Sequence, residues 1–204
     1  MDAEQSDAPE ISIRNLDELT GYFEASRTRL EKIVRFRMDP AFQARMDPGD
    51  VLQESYMEIV RRFHEFQQSQ PIHPMVWIRQ RVLQTLWDMQ RNHGRAKRTV
   101  FRETVSPERI DGNTTSLSIV RLLMDDRTSP SQAVVKDEER ERMLIALNGM
   151  NEIDREILAM RHFEYLTNLE TARVLGITPT AASNRYVRAV ERLAEILRGE
   201  RPGS

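Results

Sequence analysis

The side chains best suited to recognition chemistry sit close together near the C-terminal end. Thr178, Thr180, Ala181, Ser183, Asn184, Arg185 and Arg188 fall within eleven consecutive positions. An asparagine amide can pair bidentately with adenine and a guanidinium with guanine, while hydroxyls and free N–H groups meet phosphates. Covalent chemistry has far less to draw on. The chain has no cysteine, which removes disulfides, thiolate metal sites and a thiol nucleophile. His64, His73, His93 and His162 show no His-Glu-x-x-His or comparable ligand spacing. No catalytic residue, metal site or cofactor is expected.

The elements around the polar cluster are specified locally. Thr167-Asn168-Leu169-Glu170 is a capping box, Gly176 stops the helix it opens, and Thr178-Pro179 starts another two residues later. Ala172 supplies a small residue for the helix crossing and Ile177 an apolar plug after the turn, the requirements of a helix-turn-helix. Ala182, Tyr186, Val190 and Leu193 are expected to face inward on the second helix, leaving the recognition set outward. An αα-hairpin with a solvated polar face is the alternative reading of the same pattern.

Upstream, Asn15 and Glu18 form a second capping box, and apolar spacing predicts one helix from about Leu16 to Arg37. Asp39-Pro40 and Asp47-Pro48 each place an acceptor at an N-cap and proline at the first helical position, so each opens a helix. In the second of these, Leu52, Tyr56, Ile59, Val60 and Phe63 make an apolar face. Asp50, Gln53, Glu54, Glu58 and Arg61 lie away from it. Two prolines and a polar run make His64 to Pro74 a loop, after which Val76, Ile78, Val82, Leu86 and Met89 restart the helical period.

These signals define an all-α chain of two small helical domains joined by a linker, the C-terminal one a helix-turn-helix. The expected boundaries are an acidic tail over 1–14, a first domain over 15–102, a linker over 103–132, a second domain over 133–198 and a tail over 199–204. An apolar island from Leu117 to Leu123 interrupts the linker. It is either a brief helix docked on a neighbour or an anchor for a partner.

Net charge is only −2, but Arg91, Arg95, Lys97, Arg98 and Arg102 crowd one stretch that could follow a phosphate backbone. Lys32, Lys97 and Lys136 are the only lysines among 30 basic residues. That suits forked phosphate and guanine contacts and is equally a result of biased genomic composition. No apolar run approaches the ~20 residues of a membrane helix, and the N-terminus is acidic, so no membrane contact and a cytoplasmic location are expected.

Three stretches together resemble one family, the sigma-70 RNA polymerase sigma factors of the extracytoplasmic-function group. DVLQESYMEIVRRF (Asp50 to Phe63) resembles the acidic-Gln-Glu helix that docks on the polymerase clamp coiled coil. VWIRQRVLQTLWDMQRNHGR (Val76 to Arg95) resembles the helix that meets the minus-ten promoter element. LNGMNEIDREILAMRHFEYLTNLETARVLGITPTAASNRYVRAVERL (Leu147 to Leu193) resembles the domain that reads the minus-thirty-five element.

The resemblance implies core-polymerase contacts at Asp50, Gln53, Glu54, Glu58 and Arg61. It implies minus-ten contacts at Phe66, Gln84, Asp88, Arg91, Asn92 and Arg95, with the His64 to Pro74 loop as a wall for an unstacked base. Minus-thirty-five contacts fall on Thr178, Thr180, Ala181, Ser183, Asn184, Arg185 and Arg188. Implied partners are the core polymerase, promoter DNA and an anti-sigma factor. Gln84, where the family usually has Asn, and the pair Ala181 and Ala182, where Thr-Val is commoner, bear on promoter sequence. A stand-alone helix-turn-helix regulator and a helical adaptor are the alternative readings, and the acidic-Gln-Glu helix argues against both.

Overall fold

The computed structural model describes residues 11–43, 45–68, 73–95, 112–125 and 133–198, and every element within them is helical. In order these are α1 (Leu16–Ala25), α2 (Arg27–Arg37), α3 (Pro40–Gln43), α4 (Pro48–Arg61), α5 (Phe63–Gln68), α6 (Pro74–Arg95), α7 (Gly112–Asp125), α8 (Ala133–Asn148), α9 (Glu152–Leu158), α10 (Asn168–Leu175) and α11 (Pro179–Arg198). A π-helical turn, Ala159–Phe163, continues α9.

Local signals set the starts. The Asn15 side chain accepts from the Glu18 N–H at 2.9 Å, and Asp47 accepts from the Gly49 N–H at 2.6 Å with Pro48 at the first helical position. The single helix expected over 16–37 is divided at Ser26, where ψ opens to −3° and the N–H is shared among three carbonyls. The division lets α1 and α2 each lay an apolar stripe on the same core, Leu19 and Phe23 from one and Leu30, Ile33 and Val34 from the other.

That core is closed by Val51, Leu52 and Ile59 of α4 and by Met75, Trp77, Ile78, Val82, Leu83 and Leu86 of α6. The expected His64 to Pro74 loop is corrected in its first half. The chain continues as α5, because Phe63 and Phe66 bury one turn apart against Trp77. Residues 69–72 lie outside the described residues.

The linker expectation is also corrected. Residues 112–125 form α7, which packs on α8, α9 and α2, with Ile119 and Val120 fully buried. Of the two readings of the apolar island, the docked helix is the one found. Its neighbours in this second core include Leu147, Leu158, Ala189 and, from the first domain, Phe36. Met160 and Leu166 from the C-terminal half bury in the first core in turn. The two domains therefore share side chains across their boundary.

Candidate nucleic-acid interface and polymerase-docking face

The helix-turn-helix forms as its caps dictate. Thr167 accepts from the Glu170 N–H at 3.2 Å and Glu170 returns the bond to the Thr167 N–H at 2.7 Å. Gly176 ends α10 at φ +65°, and the Ile177 N–H reaches back to the Ala172 carbonyl at 3.0 Å. Asn168 donates to the Pro179 carbonyl at 2.9 Å, pinning the start of α10 to the start of α11.

A Cβ added at Gly176 would meet no atom within 4 Å, so its substitution tests backbone conformation alone. Gly176→Ala is expected to lower stability by ~1 to 2 kcal/mol, the cost of a left-handed L-residue. Gly176→Asn should cost less, and thermal melts of the two variants check the ordering.

On α11, Thr178, Thr180, Ser183, Asn184 and Arg188 are exposed and Ala181 is half-buried. The Thr178 hydroxyl also caps the helix, accepting from the Ala181 N–H at 3.1 Å. Arg185 differs from expectation. It is half-buried and donates to Asp154 of α9 at 2.8 Å, so it must leave that carboxylate to reach a base. Arg188, whose Nε donates only to the Asn184 carbonyl at 3.3 Å, is the better placed cation.

Inward, Ala182 and Ala189 are buried while Val190 is 36% exposed, which corrects the expected inward set. Seven residues make nearly two helical turns, so position 189 rather than 190 returns to the face of Ala182. Arg188→Ala is expected to weaken binding to the cognate duplex by ~1 to 3 kcal/mol if the side chain pairs with a base. Titrating both proteins against cognate and scrambled duplexes separates base reading from a phosphate contact, which would weaken both equally.

On α6, Gln84, Asp88 and Arg91 form one chain. Gln84 donates to Asp88 at 3.3 Å and Arg91 bonds the same carboxylate. Asn92 is exposed, and the side chain of Arg95 and the rest of the basic stretch to Arg102 lie outside the described residues. Phe66 does not join this surface. It is 2% exposed with its ring 5.0 Å from Trp77, a core plug whose burial leaves no face free for stacking.

On α4, Asp50, Gln53 and Glu54 are exposed, as the spacing predicts. Glu58 and Arg61 pair with each other at 2.6 Å, and Arg62 adds a second bond to Glu58 at 3.3 Å. Those two hydrogen bonds hold the Glu58 carboxyl below its usual range. Met57, 44% exposed, lies on the same side of the helix and is an apolar member of this face that polar spacing does not single out. Its spacing of three from Glu54 and four from Arg61 was the available signal.

The largest charge cluster was not foreseen at all. Arg37 donates to Glu156 at 2.7 Å and to Glu164 at 2.5 Å, and Arg79 donates to Glu164 at 2.5 Å. All four residues are buried. Arg29 reaches Glu170 at 2.5 Å. Burial alone would raise the Glu164 carboxyl, but the Arg37 and Arg79 guanidinium charges outweigh it and hold it down to about 2.

Because the folded value lies below the ordinary 4.5, the contribution of Glu164 is present in full above pH 4.5 and is lost as pH falls toward 2. Burial also pushes His73, 3.8 Å from Glu170, below its usual value, so this neighbour stays neutral at pH 7. The expected acid-unfolding profile declines gently below pH 6.5, where the unfolded chain takes up protons that the partly desolvated His73 and His162 resist, and steeply below pH 4.5 as Glu164 is protonated. Urea midpoints across that range check it.

Among the described residues no group of three or more His, Asp or Glu is placed to hold a metal ion, and no helix is long and apolar enough to cross a membrane.

Comparison with known proteins bears on the C-terminal part. Two solved structures align over most of the chain. One is CnrH in complex with the cytosolic domain of CnrY, at 18% identity and TM-score 0.48, covering 92% of this chain and 92% of that one. The other is the sigma factor RpoE of Bartonella quintana with the anti-sigma factor NepR, at 16% identity and TM-score 0.43, covering 89% of this chain and 99% of that one. No curated protein is significantly similar in sequence. The family model described as sigma-70, region 4 matches residues 140–193, which span most of α8, all of α9 and α10, and α11 through Leu193. The capped helix-turn-helix built by those residues is thus the part of the chain that is similar to sigma-70 region 4.

Proposed function

We propose that this chain is an RNA polymerase sigma factor of the extracytoplasmic-function group, which directs the core enzyme to promoters and carries no reaction of its own. The observation that carries the reading is the coincidence of the region 4 match with an exposed polar face on α11, Thr180, Ser183, Asn184 and Arg188. That face is of the right chemistry for a major groove. In this reading α11 grips the upstream duplex while Asp50, Gln53, Glu54 and Met57 on α4 dock on the polymerase clamp. Gln84, Asp88, Arg91 and Asn92 on α6 meet the minus-ten element. Binding energy opens the duplex, since extruding a base costs a few kcal/mol that a pocket can offset. Work beside the chromosome places the protein in the cytoplasm, and an anti-sigma factor is its expected antagonist.

The test mixes the purified chain with sigma-free core polymerase and a library of promoter DNA and maps transcript starts. Defined starts sharing two upstream boxes are expected. Failure of the core to bind the chain would end this reading in favour of a stand-alone helix-turn-helix regulator.

A further inference from the structure

Where the C-terminal end of α2 meets α7 and the π-helical turn, the surface opens into a cavity of about 510 Å³. Its floor is apolar. Phe36, Met38 and Met46 are buried there, and Phe163 stacks its ring on that of Phe36 at 5.0 Å, 7° from parallel. Leu122 and Tyr165 also line the cavity, and both are large side chains left exposed.

The charge around this floor is of one sign. Lys32, Arg35 and Arg121 line the cavity, and among the described residues no aspartate or glutamate does. The cations of α2 divide accordingly. Arg27 bridges Glu24 and Glu31, Arg29 holds Glu170, and Arg37 holds Glu156 and Glu164. Lys32 and Arg35, the two that face the cavity, form no ion pair with any described residue. Lys32 lies over the Tyr165 ring, 4.3 Å from its centroid, and Arg121 is fixed beside the end of α2 by donating to the Arg35 carbonyl at 3.0 Å.

Tyr165 reaches this position at a backbone cost. Its φ is +56°, a region that ring-bearing residues rarely adopt. Strain of that kind collects at ligand clamps, where the surroundings hold it in place. An apolar hollow with a few convergent polar groups and a volume within ~300 to 1,000 Å³ is the usual form of a small-molecule site. A hydrated inorganic anion would leave the apolar floor unused. A neutral ligand would leave the cations without a counter-charge. The lining therefore suits a molecule with both an apolar body and an anionic head.

We propose that this cavity binds a small organic anion, a compact apolar body carrying one carboxylate or phosphate. Lys32 and Arg35 hold the head, and Phe36, Met38 and Met46 receive the body. The proposal does not depend on the sigma-factor reading, because none of these residues belongs to the sets assigned above to the polymerase or to DNA.

The test uses the full chain and the fluorescent probe anilinonaphthalene sulfonate, which joins an aromatic body to a single anionic group. One saturable site per folded chain is expected, with a Kd in the tens of micromolar, roughly what a ligand of ~20 non-hydrogen atoms attains. Lys32→Gln combined with Arg35→Gln should weaken binding about tenfold, since half-exposed charge pairs each contribute modestly. Leu122→Trp should block the cavity without altering a charge and remove the saturable signal. Both variants are checked by thermal melts, and the exposed Lys32 and Arg35 pair carries the test if Leu122→Trp unfolds.

Phenylnaphthylamine, which keeps the rings and lacks the sulfonate, should bind about tenfold more weakly, the loss of the same charge contacts. Octyl phosphate and decanoate should displace the probe, and the stronger competitor assigns the head group. Unchanged affinity in either folded variant places the probe elsewhere and overturns the site. Equal binding of the neutral probe, or displacement by neither competitor, overturns the anionic ligand. Many probe molecules per chain without saturation show general apolar contact and overturn both.

Discussion

Asp50→Arg with Glu54→Arg is expected to abolish core-polymerase binding, a loss of at least ~100-fold, while leaving the fold intact. Both side chains are exposed on α4, and neither forms an ion pair or side-chain hydrogen bond with another of the described residues, so reversing them disturbs none of those contacts. Against a basic docking partner, four units of charge change bring like charges together, and such juxtaposition costs several kcal/mol. The fold should register only the loss of Asp50 from the first turn of α4, where it faces the positive end of the helix dipole, about 0.3 to 1 kcal/mol. Gel filtration with core polymerase, run beside urea melts, checks both halves. Undiminished binding would remove α4 from the docking surface, and Met57→Ala offers a control on the same face that carries no charge.

The second large effect is on stability. Arg37→Met preserves much of the aliphatic volume but leaves Glu156 and Glu164 buried with their principal cation gone. Removing one member of a buried ion pair costs ~3 to 5 kcal/mol, most of it from the stranded charge. Glu164 retains Arg79, whereas Glu156 keeps only the Thr115 hydroxyl, so Glu156 is the main source of the loss. The prediction has an internal check. Arg37→Met combined with Glu156→Gln should recover part of the stability, because the stranded charge is then neutral. Urea denaturation of the two single variants and the double variant yields the coupling directly. A loss below ~1 kcal/mol for Arg37→Met would mean that the site is hydrated, as a surface pair is.

Several expectations failed in ways that share one cause. The helix expected over 16–37 is interrupted at Ser26, although nothing near Ser26 breaks the apolar period, because two shorter helices cover the core better than one straight one. The resemblance puts Phe66 in a loop among the minus-ten contacts, whereas an aromatic beside a helix end is more often a core plug, and α5 makes it that plug against Trp77. Arg185 reads as a free cation, and Asp154, 31 residues away, claims it. The helix α7 lay within a stretch read as linker because its apolar positions gain a partner only when α2, α8 and α9 are assembled around it.

Signals acting over a few residues were legible in the sequence alone. The capping boxes at Asn15 and Thr167, the Asp-Pro starts of α3 and α4, the left-handed Gly176 and the exposure of Asp50, Gln53 and Glu54 all follow from hydrogen bonds spanning two to four residues or from helical period. These are enough to define an all-helical chain and its helix-turn-helix. The joint between the domains is different in kind. Arg37 meets Glu156 across 119 positions, Arg79 meets Glu164 across 85, and Arg29 meets Glu170 across 141. Each of those residues, read locally, is an ordinary charge on a helix. Only the tertiary structure excludes water from them together, and that exclusion turns surface charges into a buried clamp.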